Sequence, residues 1–104
     1  MEGSSGYIEP MSTGHDPSAA ADLDPRRKRA LFRAWHRGMR EMDLVMGRFA
    51  DREMASLPEA ELDELERLME LPDPEVYDWI CERASPPPEH DTPLLSRLRV
   101  YRGG

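Results

Sequence analysis

The sequence predicts an all-α fold, a single small five-helix bundle domain, from three observations. Apolar residues recur at helical spacing in successive segments, most regularly in the second of them. Three segments open on an aspartate or threonine followed by proline, which is typical of an N-cap and a first helical residue. No segment alternates apolar and polar residues as a half-buried strand does. Each helix is too short to be stable alone, so all five must share one core.

The first two helices are predicted to meet at a glycine. The first begins at Asp24-Pro25 and ends near Arg37-Gly38. Its apolar residues gather on one face, which is expected to point inward: Leu31, Phe32 and Trp35. The second runs from about Met39 to Met54, and its stripe is the best in the chain: Met42, Val45, Met46, Phe49 and Ala50. The second helix should therefore lie at the centre of the core.

The third helix is predicted to open on a capping box, Ser56-Leu57-Pro58-Glu59. Its inward face consists of Leu62, Leu65, Leu68 and Met69. Its outer face is strongly acidic and is expected to lie in solvent, with Glu59, Glu61, Asp63, Glu64 and Glu66. Catalytic carboxylates need burial or mutual repulsion to shift their pKa values, and a solvated face provides neither.

The last two helices repeat the cap-plus-proline start. Asp73-Pro74 opens a fourth helix whose inward residues are Val76, Trp79 and Ile80. Three prolines, residues 86–88, form a stiff extended spacer. Thr92-Pro93 then caps a fifth helix, which ends before Gly103-Gly104 and carries Leu94, Leu95, Leu98 and Tyr101.

Composition and length bound the domain organisation and the compartment. Residues 1–22 are rich in Gly, Ser and Pro and are predicted to form a disordered tail, while residues 23–104 form the domain. The 104 residues include one cysteine, Cys81, so no intramolecular disulfide is possible and a reducing compartment is expected. No apolar run approaches the length of a membrane span. A monomeric protein of the bacterial cytoplasm, without membrane insertion, is the expectation.

The formal charge of −7 is unevenly distributed along the chain. Residues 26–53 carry nine basic and four acidic side chains, whereas residues 54–91 carry two basic and twelve acidic ones. Such asymmetry suits a protein partner with complementary patches, and phosphate would repel the acidic half. The alternative is a small DNA-binding regulator, similar to an antitoxin, that uses the basic run Arg26–Arg29. Against it, the next helix carries Glu41, Asp43, Asp51 and Glu53, which are unsuited to reading bases.

No catalytic, metal-binding or cofactor-binding residues are predicted. Cys81 has no histidine or asparagine near it in sequence, and a small packed side chain is the favoured interpretation. The three histidines, His15, His36 and His90, are scattered and form no ligand pair at helical spacing. There is no glycine-rich phosphate loop. The protein is therefore predicted not to be an enzyme.

The candidate binding residues are Arg37, Gly38, Met39, Arg40 and Glu41, at the junction of the first two helices. A glycine there relieves the steric cost of a tight turn, especially where φ is positive. A turn explains Gly38 alone, and an ion pair between positions i and i+4 explains Arg37 with Glu41 alone. Neither accounts for so many charged groups around one turn. The bare backbone would also let another protein approach closely, with Arg37 and Glu41 as exposed polar contacts on either side.

The motif Arg37-Gly38-x-x-Glu41 resembles the signature of the small bacterial succinate dehydrogenase flavinylation factors, whose mitochondrial relatives are called succinate dehydrogenase assembly factor 2. The run continues to Phe49 in the manner of the family, although Met42 stands where leucine is more usual. A second similarity is Leu71-Pro72-Asp73-Pro74 followed by Trp79. Together with the aliphatic last helix, the resemblance covers about residues 24–102.

This resemblance implies an assembly factor, or chaperone, for an enzyme subunit. Members of the family bind the flavoprotein subunit of succinate dehydrogenase, and in some cases fumarate reductase. They promote covalent attachment of FAD to a histidine of that client. The resemblance places the motif residues 37–41 against the client, and the cofactor FAD belongs to the client.

Overall fold

The computed structural model describes residues 22–102, and within that range the chain forms five α-helices and no strand. The helices are α1 (Pro25–Trp35), α2 (Arg40–Glu53), α3 (Glu59–Met69), α4 (Asp73–Ile80) and α5 (Pro93–Arg99). Two 3-10 turns lie between them, at Met54–Ser56 and Pro88–His90. The predicted all-α class is confirmed. The tail predicted for residues 1–22 lies, apart from its last residue, outside the described range.

Two of the predicted helix caps are confirmed. The Asp24 carboxylate accepts a hydrogen bond from the Arg27 backbone N–H (2.8 Å) at the start of α1. The Thr92 hydroxyl oxygen accepts one from the Leu95 N–H (3.3 Å) at the start of α5. Each side chain satisfies a backbone donor that has no partner within its helix.

The other two predicted caps are wrong. Pro58 precedes α3 without a side-chain cap, and the Ser56 hydroxyl instead bonds to the Glu53 carbonyl oxygen (3.4 Å). The 3-10 turn at Met54–Ser56 places Ser56 in a turn of its own, so it is not available as the cap of α3. Asp73 is the first residue of α4, and its carboxylate bonds to a distant part of the chain.

The core is centred on α2, as predicted. Every residue of its apolar stripe is buried, and Phe49 is fully inaccessible to solvent. The helix packs against α1, α4 and α5. The predicted inward residues of α3 and α4 are buried too, as are Leu94, Leu95 and Leu98 of α5. Tyr101 follows α5, packs edge-on against Phe49 and donates its hydroxyl to Glu53 (2.9 Å).

The packing of α1 differs from the prediction. Phe32 is 62% exposed, while the small residues Ala30 and Ala34 are buried beside Leu31. Small side chains let two helices approach closely, and α1 makes its most extensive contact with α2. At that contact the indole of Trp35 lies directly over Gly47 of α2.

Arginine side chains donate hydrogen bonds to backbone carbonyl groups at the ends of three helices. Arg27 donates to the Met54 carbonyl just after α2 (2.7 Å), and Arg37 donates to the Met69 carbonyl at the end of α3 (2.6 Å). Arg99 and Arg102, from the other end of the domain, donate to the last carbonyls of α4. The last carbonyls of a helix have no partner within it, so these bonds tie each helix end to another segment.

The acidic face of α3 is not simply solvated. Glu64 is buried, with 6% of its surface exposed, and bonds to Arg67 (3.0 Å) and His90 (3.1 Å). Arg26 of α1 reaches Glu66 (2.7 Å), and its hydrogen bond holds the pKa of that carboxyl below its ordinary value. Further along, Arg97 pairs with Glu61. The separated charges seen in the sequence are therefore partly neutralised within the domain.

The remaining loop follows the prediction in part. Pro87 is extended, as expected of a proline spacer, but Pro88 already begins a 3-10 turn that ends at His90. The fifth helix ends at Arg99, earlier than predicted. None of the described helices is both long and apolar enough to cross a membrane.

Candidate protein-binding site

The five candidate binding residues lie together at the connection between α1 and α2. They line one open depression of about 660 Å³, which Leu71, Asp73 and Pro74 at the start of α4 complete. The connection from α1 to α2 therefore forms one side of the depression, and the chain leading into α4 forms the other.

Arg37 is an internal brace of this site. Its Nε and Nη2 atoms both lie 3.1 Å from the Asp73 carboxylate, and Nη2 also donates to the Met69 carbonyl oxygen at 2.6 Å. Both side chains of the pair are only 11% exposed. The expectation that Arg37 is an exposed polar contact is wrong, because a carboxylate distant in sequence binds its side chain within the domain.

The backbone on either side of Gly38 is held by two carboxylates. Asp73 Oδ2 accepts a hydrogen bond from the Gly38 N–H (3.1 Å), and Asp43 Oδ1 accepts one from the Arg37 N–H (2.5 Å). These acids belong to α4 and α2, so the turn is fixed to two helices at once. Sequence reasoning missed Asp73 as a site residue because Asp-Pro is a common helix start, and its carboxylate was assigned to capping.

Gly38 does not need to be glycine for the sake of its own fold. Its φ lies outside the left-handed region that favours glycine, contrary to the turn explanation. A Cβ built on its backbone would meet nothing within 4 Å. The residue is exposed and its N–H is fixed, so the position offers rigid bare backbone to an approaching molecule.

Of the other three motif residues, one is partly buried and two are exposed. Met39 is partly buried and packs against the core. Arg40 and Glu41 begin α2 with exposed side chains, and neither has a hydrogen bond or ion pair within residues 22–102. The accessible surface is thus a cation and an anion beside the Gly38 backbone. This combination suits recognition of a polypeptide by shape and charge.

The cysteine and the histidines considered in the sequence analysis do not form a cluster at this site. Cys81 is partly buried just after α4, where its hydrogen bond with Tyr77 raises the pKa of that phenol. His90 stacks on Trp79 and bonds to Glu64. His36 precedes the motif and stacks on Phe32, and His15 lies outside the described residues. In the part of the chain that the structure describes, no group of three potential metal ligands occurs.

Two of the four residues in the basic run, residues 26–29, form ion pairs and hydrogen bonds with other parts of the domain. Arg26 pairs with acids of α3, and Arg27 pairs with Asp24 and donates to the Met54 carbonyl. Only Lys28 and Arg29 remain exposed without a described partner. A DNA-binding surface needs several free cations, so this arrangement weakens the alternative of a DNA-binding regulator.

Comparison with known proteins decides the family. Residues 28–102 match the family described as "Flavinator of succinate dehydrogenase". The chain belongs to this family. The match begins within α1 and spans all the residues that line the depression.

Individual relatives support the same assignment. The chain is 39% identical over 100 residues to "FAD assembly factor SdhE" of Acetobacter pasteurianus, covering 91% of this chain and 92% of that protein. It is 35% identical over 81 residues to "Succinate dehydrogenase assembly factor 2, mitochondrial" of Dictyostelium discoideum, covering 78% of this chain and 57% of the relative. No solved structure gives a significant match.

Proposed function

We propose that this protein is an assembly factor that binds the flavoprotein subunit of succinate dehydrogenase and promotes covalent attachment of FAD to a histidine of that subunit. Membership of the flavinator family supports the proposal, as does the name of the Acetobacter relative, an FAD assembly factor. In this proposal, the depression lined by residues 37–41 faces the client. Fumarate reductase is a second candidate client, and the bacterial cytoplasm is the proposed compartment.

The observation that carries the site assignment is the environment of Gly38. Nothing in the described fold would meet a Cβ there, yet Asp73 fixes the backbone at that point. A position that is rigid, exposed and bare suits close contact with a second protein, where even a small side chain would separate the two surfaces. Arg40 and Glu41 would then contribute charged contacts at the edge of the same surface.

The proposed mechanism is positioning, and the protein is proposed to have no catalytic activity of its own. The family resemblance assigns both the reacting histidine and FAD to the client. A rigid partner docked on the client can stabilise the arrangement of client segments in which the reacting groups meet, and orientation of this kind lowers a barrier without new chemistry. The Arg37–Asp73 pair would keep the docking surface in shape before the client arrives.

The experiment is co-expression with a succinate dehydrogenase flavoprotein subunit, followed by denaturing electrophoresis and in-gel flavin fluorescence. Wild-type protein should increase the covalently bound flavin of the client. Gly38→Arg should abolish that increase while its thermal melt stays close to that of wild type, because a Cβ at the exposed position 38 meets no atom of the described fold within 4 Å. Val100→Arg is the matched control, since Val100 is 78% exposed and lies outside the depression.

Two outcomes would count against the proposal. If wild-type protein leaves client flavinylation unchanged, the proposed function is wrong. If Gly38→Arg folds normally and flavinylates as well as Val100→Arg, the depression is not the client-binding surface.

A further inference from the structure

The exposed side of α1 carries an aromatic ring beside two cations that have no partner within residues 22–102. The α1 outer face, as we name it, consists of Lys28, Arg29, Phe32 and His36, which lie within about 100° of one another around the helix. It is opposite the buried side of α1, where Ala30, Leu31 and Ala34 pack. The prediction that Phe32 points into the core is wrong, because its side chain lies on the surface.

The ring of Phe32 is held in place on the surface. It stacks on His36 with 3.9 Å between ring centroids and 19° between ring planes. His36 is itself fixed, because its Nδ1 donates to the Phe32 carbonyl oxygen at 2.7 Å. Ordered aromatic side chains lose little conformational entropy when a partner covers them, and they are common among the residues that dominate binding energy. Phe32 is thus prepared for contact before a partner arrives.

The cations beside it differ from their neighbours on the same helix. Arg26, Arg27 and Arg33 all form ion pairs with acids of the domain. Lys28 and Arg29 form none within residues 22–102, although the protein as a whole is strongly acidic. Unpaired cations around an exposed ring complement an acidic surface with an apolar recess.

The α1 outer face is continuous with the candidate site. His36 is the C-cap of α1 and is followed directly by Arg37 and Gly38 of the depression. We infer that the client flavoprotein subunit docks along both regions, and that an acidic surface with an apolar recess on the client receives the α1 outer face. The inference rests on the proposed function and extends the contact beyond the motif. In this arrangement Phe32 is an anchor, and Lys28 and Arg29 steer the encounter.

The test measures association and dissociation rates of the full chain on an immobilised succinate dehydrogenase flavoprotein subunit. Phe32→Ala should raise the dissociation rate by about tenfold, because a buried aromatic anchor mainly controls complex lifetime. Val100→Ala is its matched control, since it removes another highly exposed apolar side chain, and it should bind as wild type. Both variants should melt as wild type does.

Charge reversal should act on the other rate. Arg29→Glu should lower the association rate about fivefold at low ionic strength, and the effect should fade as salt is added. Arg52→Glu, an exposed reversal at the end of α2, is the control and should have a smaller effect. A reversal that slows association no more than Arg52→Glu would overturn the steering role.

The outcomes separate this inference from the proposed function. If Gly38→Arg abolishes client binding but Phe32→Ala binds as wild type, the client contacts the motif and the α1 outer face is not part of the interface. If wild-type protein does not bind the client, both proposals fail.

If Phe32→Ala converts a dimer into a monomer in analytical ultracentrifugation, a second copy occupies the face. If Arg29→Glu instead removes binding to duplex DNA, nucleic acid is the occupant, and either result overturns the inference.

Discussion

Two glycines of the same helix pair have opposite environments. Gly47 is buried on α2, and a Cβ there would lie within 3 Å of three ring atoms of Trp35. Gly38, in the connection between α1 and α2, has nothing within 4 Å of the same imagined atom. At one position the domain itself excludes a side chain, while at the other nothing in the domain does. The first glycine therefore serves packing, whereas no contact within the described residues requires a glycine at the second position.

The largest predicted effect is at Gly47. Gly47→Ala forces the Trp35 indole away from α2 and disturbs its hydrogen bond to Asp51 (3.0 Å). Overpacking of this kind costs about 3 kcal/mol, which chemical denaturation would show as a lower free energy of unfolding. The higher intrinsic helix propensity of alanine offsets only about 1 kcal/mol.

A double-mutant cycle locates the cause. In a Trp35→Ala background the space over Gly47 is open, so Gly47→Ala should cost little or even stabilise the domain. An equal cost in both backgrounds would mean that the clash is not with Trp35.

The second effect concerns the Asp73 carboxylate, which binds both Arg37 and the backbone of Gly38. Asp73→Ala removes the carboxylate that accepts from both the largely buried Arg37 guanidinium and the Gly38 N–H, and should lower stability by about 2 kcal/mol. Asp78→Ala on the same helix is the matched control, because its pair with Arg83 is about half exposed. That control should cost no more than about 0.5 kcal/mol. Equal losses would show that the Arg37–Asp73 pair contributes no more than a surface ion pair.

Sequence patterns predicted some of the contacts that are local in the chain, although the local caps at Ser56 and Asp73 are wrong. The apolar stripe of α2 and the caps at Asp24 and Thr92 depend on residues within one or two turns, and all are confirmed. Phe32 fits a helical stripe as well as Leu31 does, but Ala30 and Ala34 are buried instead, so the buried face of α1 is centred elsewhere. Periodicity gives the spacing of a stripe, and neighbouring helices decide which side is covered.

The long-range part of the site could not be predicted. The motif residues are consecutive in the sequence, but Asp73 is distant from them, and the Asp-Pro pattern there predicted a helix cap that the structure does not have. Glu64 has the same character, since its burial follows from contact with His90 in a later loop. Gly47 gave a weak signal, a glycine within a strong helix pattern, which indicates close packing.

A smaller effect tests the ion pairs that join α1 to α3, away from both glycines. The Glu66 pKa is lowered by Arg26, so the contact stabilises the fold above the ordinary pKa of 4.5 and is lost as pH falls through the lower folded value. Glu66→Gln should therefore be less stable than wild type at pH 7, by about 0.5 kcal/mol. The two should converge once the pH falls below the lowered pKa of Glu66 in the folded protein. A gap that persists in acid would have another cause.

The smallest effect on stability is predicted at Gly38. Gly38→Ala should leave the free energy of unfolding unchanged or raise it by about 0.5 kcal/mol, since alanine restricts the unfolded chain and meets no clash. The same substitution at Gly47 should cause the largest loss of stability. A difference between the two variants therefore reports the surroundings of each glycine, because the residue change is the same. Alanine, valine and leucine at position 38 should melt alike while client flavinylation falls with side-chain size. If stability falls along this series in step with flavinylation, Gly38 is required by the fold, and the bare-backbone explanation of the motif is wrong.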